Sequence, residues 1–164
     1  MKLIVNVSDN WAIGKDNGLL FHLSQDMKFF REHTTGNIIV MGRKTLESLP
    51  NSKPLPNRKN IVLTRNKDYR PEGVTVYTSI DEFIANTPKR DNVYVIGGES
   101  LYRDLLPYCD TAYVTKVEKS VDDADAFMVN LDDDSDWQTF DISEEFEEKN
   151  LKFRFVTYKR GCCI

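Results

Sequence analysis

The chain has 164 residues, of which 40% are hydrophobic and 29% charged, with a formal net charge of -4. That length suits one globular domain, and the composition excludes a disordered chain. The acidic balance argues against nucleic acid as the main partner; no basic n-region or run of about 18 apolar residues marks a leader or a membrane span, so a cytoplasmic location is expected.

Leu3–Val7 opens as an apolar strand. Trp11–Phe21, with Gly14 and Asp16-Asn17-Gly18, reads as a long loop able to close over a site. Ser24 is placed to cap a helix through Met27, Phe30 and Arg31. Asn37–Met41 and Asn60–Thr64 follow as strands, with a short helix starting near Arg43 between them. The run Ile38-Ile39-Val40-Met41 is continuously apolar, as central strands buried on both faces are. Thr75–Tyr77 precedes a capping box of Ser79 and Glu82, and Pro88 stops the helix that follows. After the strand Val93–Ile96, a helix from Glu99 to Leu106 carries the apolar pairs Leu101/Tyr102 and Leu105/Leu106 and ends at Pro107. Thr111–Val117, Trp137–Ile142 and Lys152–Tyr158 complete the strands.

Between them, Asp122 to Asp136 reads as a solvated acidic loop. A calcium-loop reading of Asp132, Asp134 and Asp136 fails, because Trp137 and Ser143 stand where that motif needs Gly and Glu. No repeat or linker divides the chain. Strand–helix alternation followed by late strands predicts a mostly parallel α/β sheet with an antiparallel C-terminal edge and about four helices. Ligands of such sheets sit beyond the carboxyl ends of the strands.

Chemistry is concentrated at three of those ends. Met41-Gly42-Arg43-Lys44-Thr45 joins an apolar strand to Gly, two cations and a hydroxyl where a helix begins, a suitable phosphate site. Its likeness to a P-loop fails, since Arg43 separates Gly42 from Lys44 and the spacer from Gly36 is one residue too long. Ile96-Gly97-Gly98-Glu99-Ser100-Leu101 lets backbone approach a ligand, and Leu63-Thr64-Arg65 adds a hydroxyl and a guanidinium. Asp26 lies in the first helical turn near Met27 and Phe30. The helix dipole lowers a carboxyl pKa by the equivalent of about 0.3–1 kcal/mol. Burial raises it by up to roughly 3–5 units and makes the group a proton source.

His22 and His33 read as surface or pocket-edge residues without metal-ligand partners, so no metal is expected. Cys109, Cys162 and Cys163 read as reduced thiols.

The motifs Ala12-Ile13-Gly14-Lys15, Ser24-Gln25-Asp26-Met27, Met41 to Ser48, Leu55-Pro56-Asn57-Arg58-Lys59-Asn60 and Val95-Ile96-Gly97-Gly98 stand in order, followed by the Thr115 strand. Their order and spacing resemble dihydrofolate reductase almost end to end. The resemblance implies an eight-stranded α/β fold over residues 1–164, NADPH as donor, 7,8-dihydrofolate as acceptor and tetrahydrofolate as product. It implies dihydrofolate and folate analogues as ligands, with neither nucleic acid nor membrane as partner, and a monomer.

It places Asp26, Phe21 and Thr115 at the catalytic position, with Asp26 holding the pterin and supporting its protonation. Val5, Asn6, Met27, Phe30, Leu49, Leu55, Ile96 and Tyr102 would surround the substrate, and Arg58 would pair with its α-carboxylate. Arg43, Lys44, Thr64 and Arg65 would meet the cofactor's 2′-phosphate. Thr45, Gly98, Glu99, Ser100 and Leu101 would contact its pyrophosphate region, mainly through backbone groups, and Gly42, Leu63, Gly97 and Tyr102 would also bind the cofactor. Backbone of Asn6 and Ile13 would hold the nicotinamide amide, and Gly14, Leu19 and Ile96 would also bind the cofactor. Gly97-Gly98 resembles the family's cis peptide.

The chain departs from the usual pattern at Leu19-Leu20-Phe21, where Leu-Pro-Trp is common, and at Asn6, commonly Ala. It departs again at Asp125-Ala126-Phe127-Met128-Val129, commonly Asp-Thr-Phe-Phe-Pro, and at Glu99, commonly small. Two other readings use the same residues: a reductase of this fold acting on a riboflavin-pathway pyrimidine, and a module that binds folate or nucleotide without reducing it. Arg58 in its Leu-Pro-x-Arg setting favours the folate tail over the pyrimidine.

Overall fold

Side chains of a strand alternate between faces, so an apolar run such as Leu3-Ile4-Val5 needs a core on each side. A computed structural model describes residues 1–161 and shows both cores. Cys162 and Cys163 lie outside the described residues.

In chain order the elements are β1 (Lys2–Val7), β2 (Ala12–Lys15), β3 (Gly18–Leu19), α1 (Ser24–Thr34), β4 (Ile38–Gly42), α2 (Arg43–Ser48), β5 (Lys59–Leu63) and β6 (Val74–Tyr77). There follow α3 (Ile80–Ala85), β7 (Val93–Gly97), α4 (Glu99–Leu105), β8 (Thr111–Val117), β9 (Ala126–Phe127), β10 (Trp137–Ile142), β11 (Phe146–Glu148) and β12 (Leu151–Arg160). The sheet runs β10-β12-β8-β1-β7-β4-β5-β6, with β11 paired to β12 as a ninth strand. Pairs from β8 to β6 are parallel, and β12 and β10 are antiparallel. The predicted parallel sheet with its antiparallel edge is therefore present. No helix among the described residues is long and apolar enough to cross a membrane.

On one face Leu3, Val5, Val7, Val93 and Val95 pack with Phe83 of α3 and Leu101, Tyr102 and Leu105 of α4. On the other, Ile4, Ile39, Met41 and Tyr94 pack with Leu46 of α2 and Phe29 and Phe30 of α1. A third cluster, Phe21, Leu23, Val117 and Phe153, lies by β11 and β12. Cys109 is buried and free, and burial pushes its thiol up to about 12.

Several local expectations need correction. Ser24 is not the cap of α1; Leu23 is, and it offers no side-chain acceptor. The acceptor comes instead from Glu148 of β11, which takes hydrogen bonds from Ser24 N–H at 2.7 Å, Ser24 Oγ at 2.7 Å and Gln25 N–H at 3.3 Å. A carboxylate distant in sequence thus satisfies the free N–H groups of the helix that carries Asp26.

These bonds to Ser24 hold the Glu148 carboxyl below its ordinary range. A depressed carboxyl contributes stability above its unfolded pKa and loses it as pH falls through the folded value. Glu148→Gln should therefore lower the thermal midpoint at pH 7, and the gap to the unmodified protein should close below about pH 4. A gap that is constant across this range would contradict the cap.

Ser79 caps α3 as predicted, accepting from Glu82 N–H at 3.1 Å, but the Glu82 carboxylate reaches Thr78 N–H at 2.8 Å rather than Ser79. The fourth helix stops at Leu105, and Pro107 sits in a 3-10 turn, Leu106–Tyr108. Trp11–Phe21 is not a bare loop: it supplies β2 and β3, and β2 pairs with β9 from the acidic stretch. Nor is that stretch only solvated, since Asp132 accepts from Tyr158 Oη and binds Lys116 Nζ, each at 2.7 Å. His33, expected at the surface or a pocket edge, is half-buried between the Phe29 and Tyr113 rings, with Nδ1 2.9 Å from Phe29 O. His22 is exposed.

Candidate active site

Asn6 and Thr115 are register partners on the parallel strands β1 and β8, so their side chains leave the sheet on the same face. Asp26, in the first turn of α1, meets both. Asn6 Nδ2 donates to Asp26 Oδ2 at 2.9 Å, and Thr115 Oγ1 donates to Asp26 Oδ1 at 2.6 Å. Thr115 is buried, and Asp26 is half-buried. Loss of hydration raises the Asp26 pKa above the ordinary carboxyl value, while the hydrogen bonds from Thr115 and Asn6 pull it back. Burial wins. The carboxyl therefore sits in a partly polar notch, with Asn6, expected beside the substrate and the nicotinamide, as a direct hydrogen-bond partner of the acid.

Phe30, Leu49, Leu55 and Ile96 are partly buried against one cluster, on the face of β1 that bears Ile4 and Asn6. Val5 lies on the opposite face, with Ile13, Leu63, Leu101 and Tyr102. Met27, beside Asp26 in sequence, is 51% exposed. Phe21 is buried in the third cluster against Val117. Val117 is two residues beyond Thr115 on β8 and therefore on the same face.

Leu55 and Arg58 are presented by a loop that Asn60 ties down. Its buried amide donates to Leu55 O at 2.9 Å and Arg58 O at 3.1 Å, and accepts from Leu55 N–H at 3.0 Å. Arg58 donates through Nε to Pro56 O at 2.9 Å and through Nη1 to Thr34 Oγ1 at 3.0 Å. Among the described residues no carboxylate lies within 4.0 Å of it. Partial burial, and then the charge of Arg31, lower its pKa. Arg31 is a second cation at this corner; on sequence it was only a helix position.

The second group of predicted residues gathers where β4, β5 and β7 end. Met41 is opposite Gly97 across a register shift, and Gly42 opposite Leu63. The Gly97–Gly98 peptide is cis, as the resemblance implied. Gly97 has φ +130°, and a Cβ there would lie 3.5 Å from Thr45 Oγ1 and 3.6 Å from the Tyr102 ring. Thr45, Gly97 and Gly98 thus form a cradle with little side-chain bulk, a fit for an extended phosphate ester. Tyr102 Oη donates to Ile4 O at 2.7 Å, and burial pushes this hydroxyl far above its ordinary range.

Arg43 Nε pairs with Glu47 at 3.3 Å, leaving its terminal nitrogens. Lys44 and Arg65 are exposed, Thr64 is half-buried, and neither cation has an acidic partner within 4.0 Å among the described residues. Ser100 is exposed and Leu101 buried behind the turn.

Over this region runs the β2–β3 ribbon with half-buried Ile13 and 59% exposed Leu19. A Cβ on Gly14 would come within 3.1 Å of Gly18 O, so only glycine fits that turn without a shift. The ribbon is fastened at several points the sequence did not reveal. Asn17 Nδ2 donates to Lys44 O at 3.0 Å, Asp16 N–H to Asp125 Oδ2 at 3.0 Å, and Lys15 pairs with Asp123. No cluster of three His, Cys, Asp or Glu able to hold a metal occurs among the described residues.

The family model described as dihydrofolate reductase matches residues 1–160. The chain is 37% identical over 164 residues to the dihydrofolate reductase of Bacillus subtilis, covering 98% of this chain and 94% of that protein. It is 39% identical over 133 residues to that of Mycobacterium leprae, covering 80% of this chain and 76% of the relative. Among solved structures it resembles Enterococcus faecalis dihydrofolate reductase complexed with NADP(H) and RAB-propyl, with a TM-score of 0.88 and 35% identity over 98% of this chain and 96% of that one.

Proposed function

The chain belongs to the dihydrofolate reductase family, and from that premise we propose that Asp26 holds the pterin ring and supports its protonation during turnover. The protein is an oxidoreductase that reduces 7,8-dihydrofolate to tetrahydrofolate with NADPH. NADPH, when bound, supplies the hydride. The single observation that carries the role of Asp26 is its carboxylate between Asn6 and Thr115.

The two donors orient that carboxylate, so its remaining lone pairs can accept from the pterin's amino and ring N–H groups. The raised pKa increases the protonated fraction available near neutral pH, either to donate directly or through a water that Asp26 orients. Phe30, Leu49, Leu55 and Ile96 support an apolar wall that keeps water from the ring, with Met27 and Asn6 completing the pocket in this reading, while the side chains of Val5 and Tyr102 pack behind it on the other face of the sheet. Phe21, buried and without a proton to give, would act by shape alone. The N–H groups that Arg58 keeps beyond its bonds to Pro56 O and Thr34 Oγ1, those of Nη2 and the second of Nη1, suit the α-carboxylate of the substrate.

For the cofactor, Arg43, Lys44, Thr64 and Arg65 are read as the 2′-phosphate donors. Gly42, Thr45, Leu63 and Gly97 to Tyr102 are read along the pyrophosphate, and Asn6, Ile13, Gly14, Leu19 and Ile96 beside the nicotinamide. The same reading takes the protein as a cytoplasmic monomer using small ligands, which the net charge of -4 supports against nucleic acid.

Following NADPH oxidation at saturating dihydrofolate, with a riboflavin-pathway pyrimidine in parallel, tests the substrate. Turnover with dihydrofolate alone is expected; turnover of the pyrimidine alone would refute the assignment. Arg43→Ala should erode the preference for NADPH over NADH. A charge-assisted hydrogen bond is worth about 1.5–3 kcal/mol, or roughly 10–150-fold. The low end is expected because Arg43 also pairs with Glu47. Equal use of both cofactors by the unmodified protein would contradict the phosphate site.

A further inference from the structure

Glu99 is the first residue of α4 and follows the Gly97–Gly98 turn directly. Its carboxylate reaches across to another element: Glu99 Oε1 accepts from the backbone N–H of Phe127 at 3.0 Å. Phe127 belongs to β9, where it stands opposite Ala12 of β2, while Ala126 stands opposite Gly14. Beside it, Met128 N–H donates to Trp11 O at 2.8 Å.

One carboxylate therefore joins the glycine turn at the end of β7 to the ribbon that carries Ile13 and Gly14. Other ties of this ribbon, from Lys15 to Asp123, Asp16 to Asp125 and Asn17 to Lys44 O, lie at its exposed tip. Glu99 is itself exposed, and no Lys or Arg lies within 4.0 Å of it among the described residues. Its charge is met by a single backbone N–H.

We propose that Glu99 is a positioning residue that fastens the β2–β9 ribbon to the cofactor turn, and that its negative charge there makes the protein hold NADPH less tightly than a neutral side chain would. The charge half rests on the cofactor reading above; the fastening half does not. The two effects differ physically. A hydrogen bond needs only an acceptor oxygen, which glutamine retains, whereas repulsion of phosphate needs the charge and fades with salt.

Amide hydrogen exchange in the cofactor-free protein reads the fastening. Glu99→Ala should speed exchange of the Phe127 N–H by roughly tenfold, and Glu99→Gln should restore most of its protection. NADPH titration reads the charge. Both variants should bind NADPH about two- to fivefold more tightly at low salt, with the gain vanishing at high salt. Unchanged Phe127 exchange in Glu99→Ala overturns the fastening. Unchanged or weaker NADPH binding by Glu99→Gln overturns the charge effect. Failure of the unmodified protein to bind NADPH saturably would sink the cofactor reading and the charge effect together, while the exchange result still decides the fastening.

Discussion

Asp26→Asn is expected to fold normally and to lose roughly 10²–10⁴-fold in dihydrofolate turnover at neutral pH, the usual size of a general-acid contribution. Asparagine fills the same volume, and the notch can adapt: the Asn6 amide can turn its oxygen toward the new amide, and the Thr115 hydroxyl can donate to the remaining oxygen. What is lost is the exchangeable proton and the charge.

The pH dependence follows from the direction of the shift. Burial raises the Asp26 pKa, so the protonated carboxyl persists to higher pH than in a free side chain. Turnover should fall as pH rises through that value, and the variant should lack this limb. Stability moves the opposite way from an ordinary paired acid. A carboxyl whose folded pKa is raised contributes stability below its unfolded value and loses it as pH rises through the folded value. Relative to the unmodified protein, Asp26→Asn should therefore gain stability between about pH 3 and pH 7. Denaturant titration at both ends checks this; full turnover in the variant would remove Asp26 from the chemistry.

The second large effect belongs to Arg58. Arg58→Ala should raise the KM for dihydrofolate by roughly 10–100-fold with little change in kcat, since a charge-assisted bond far from the reacting carbon acts on binding. The fold should survive. The Thr34 hydroxyl that accepts from Arg58 also donates to Phe30 O at 2.8 Å, so it stays satisfied. Arg58→Lys keeps the charge but not the planar fork and should recover only part of the loss. If KM is unchanged in Arg58→Ala, the carboxylate is held elsewhere, and Arg31, whose charge already acts on Arg58, is the next candidate.

Long apolar runs announced their own structure. Ile38 to Met41 and Val93 to Ile96 became central strands to within a residue of the predicted bounds, because burial on both faces leaves no other use for such a run. The Ser79 cap was legible for a similar reason, its acceptor and donor being three residues apart. The strands β2, β3 and β9 were not. Each is four residues or shorter and is stable only through partners brought from elsewhere in the chain. The true cap of α1 was hidden as well, since Glu148 lies 124 residues from Ser24.

For the site, residue types and order pointed to Asp26, Arg58 and the basic strand ends, because those depend on local motifs. The sequence by itself determined the sheet class and most strand positions, and it singled out Asp26 as the candidate acid. Only the tertiary structure decided that Asn6 holds that carboxylate, that Val5 packs on the face opposite Phe30 and Leu55, that Phe21 joins a separate cluster, and that Glu99 reaches Phe127. The physical reason is range. Propensity and periodicity act over a turn or a pleat, whereas strand order and register alone set which distant side chains come within hydrogen-bond reach.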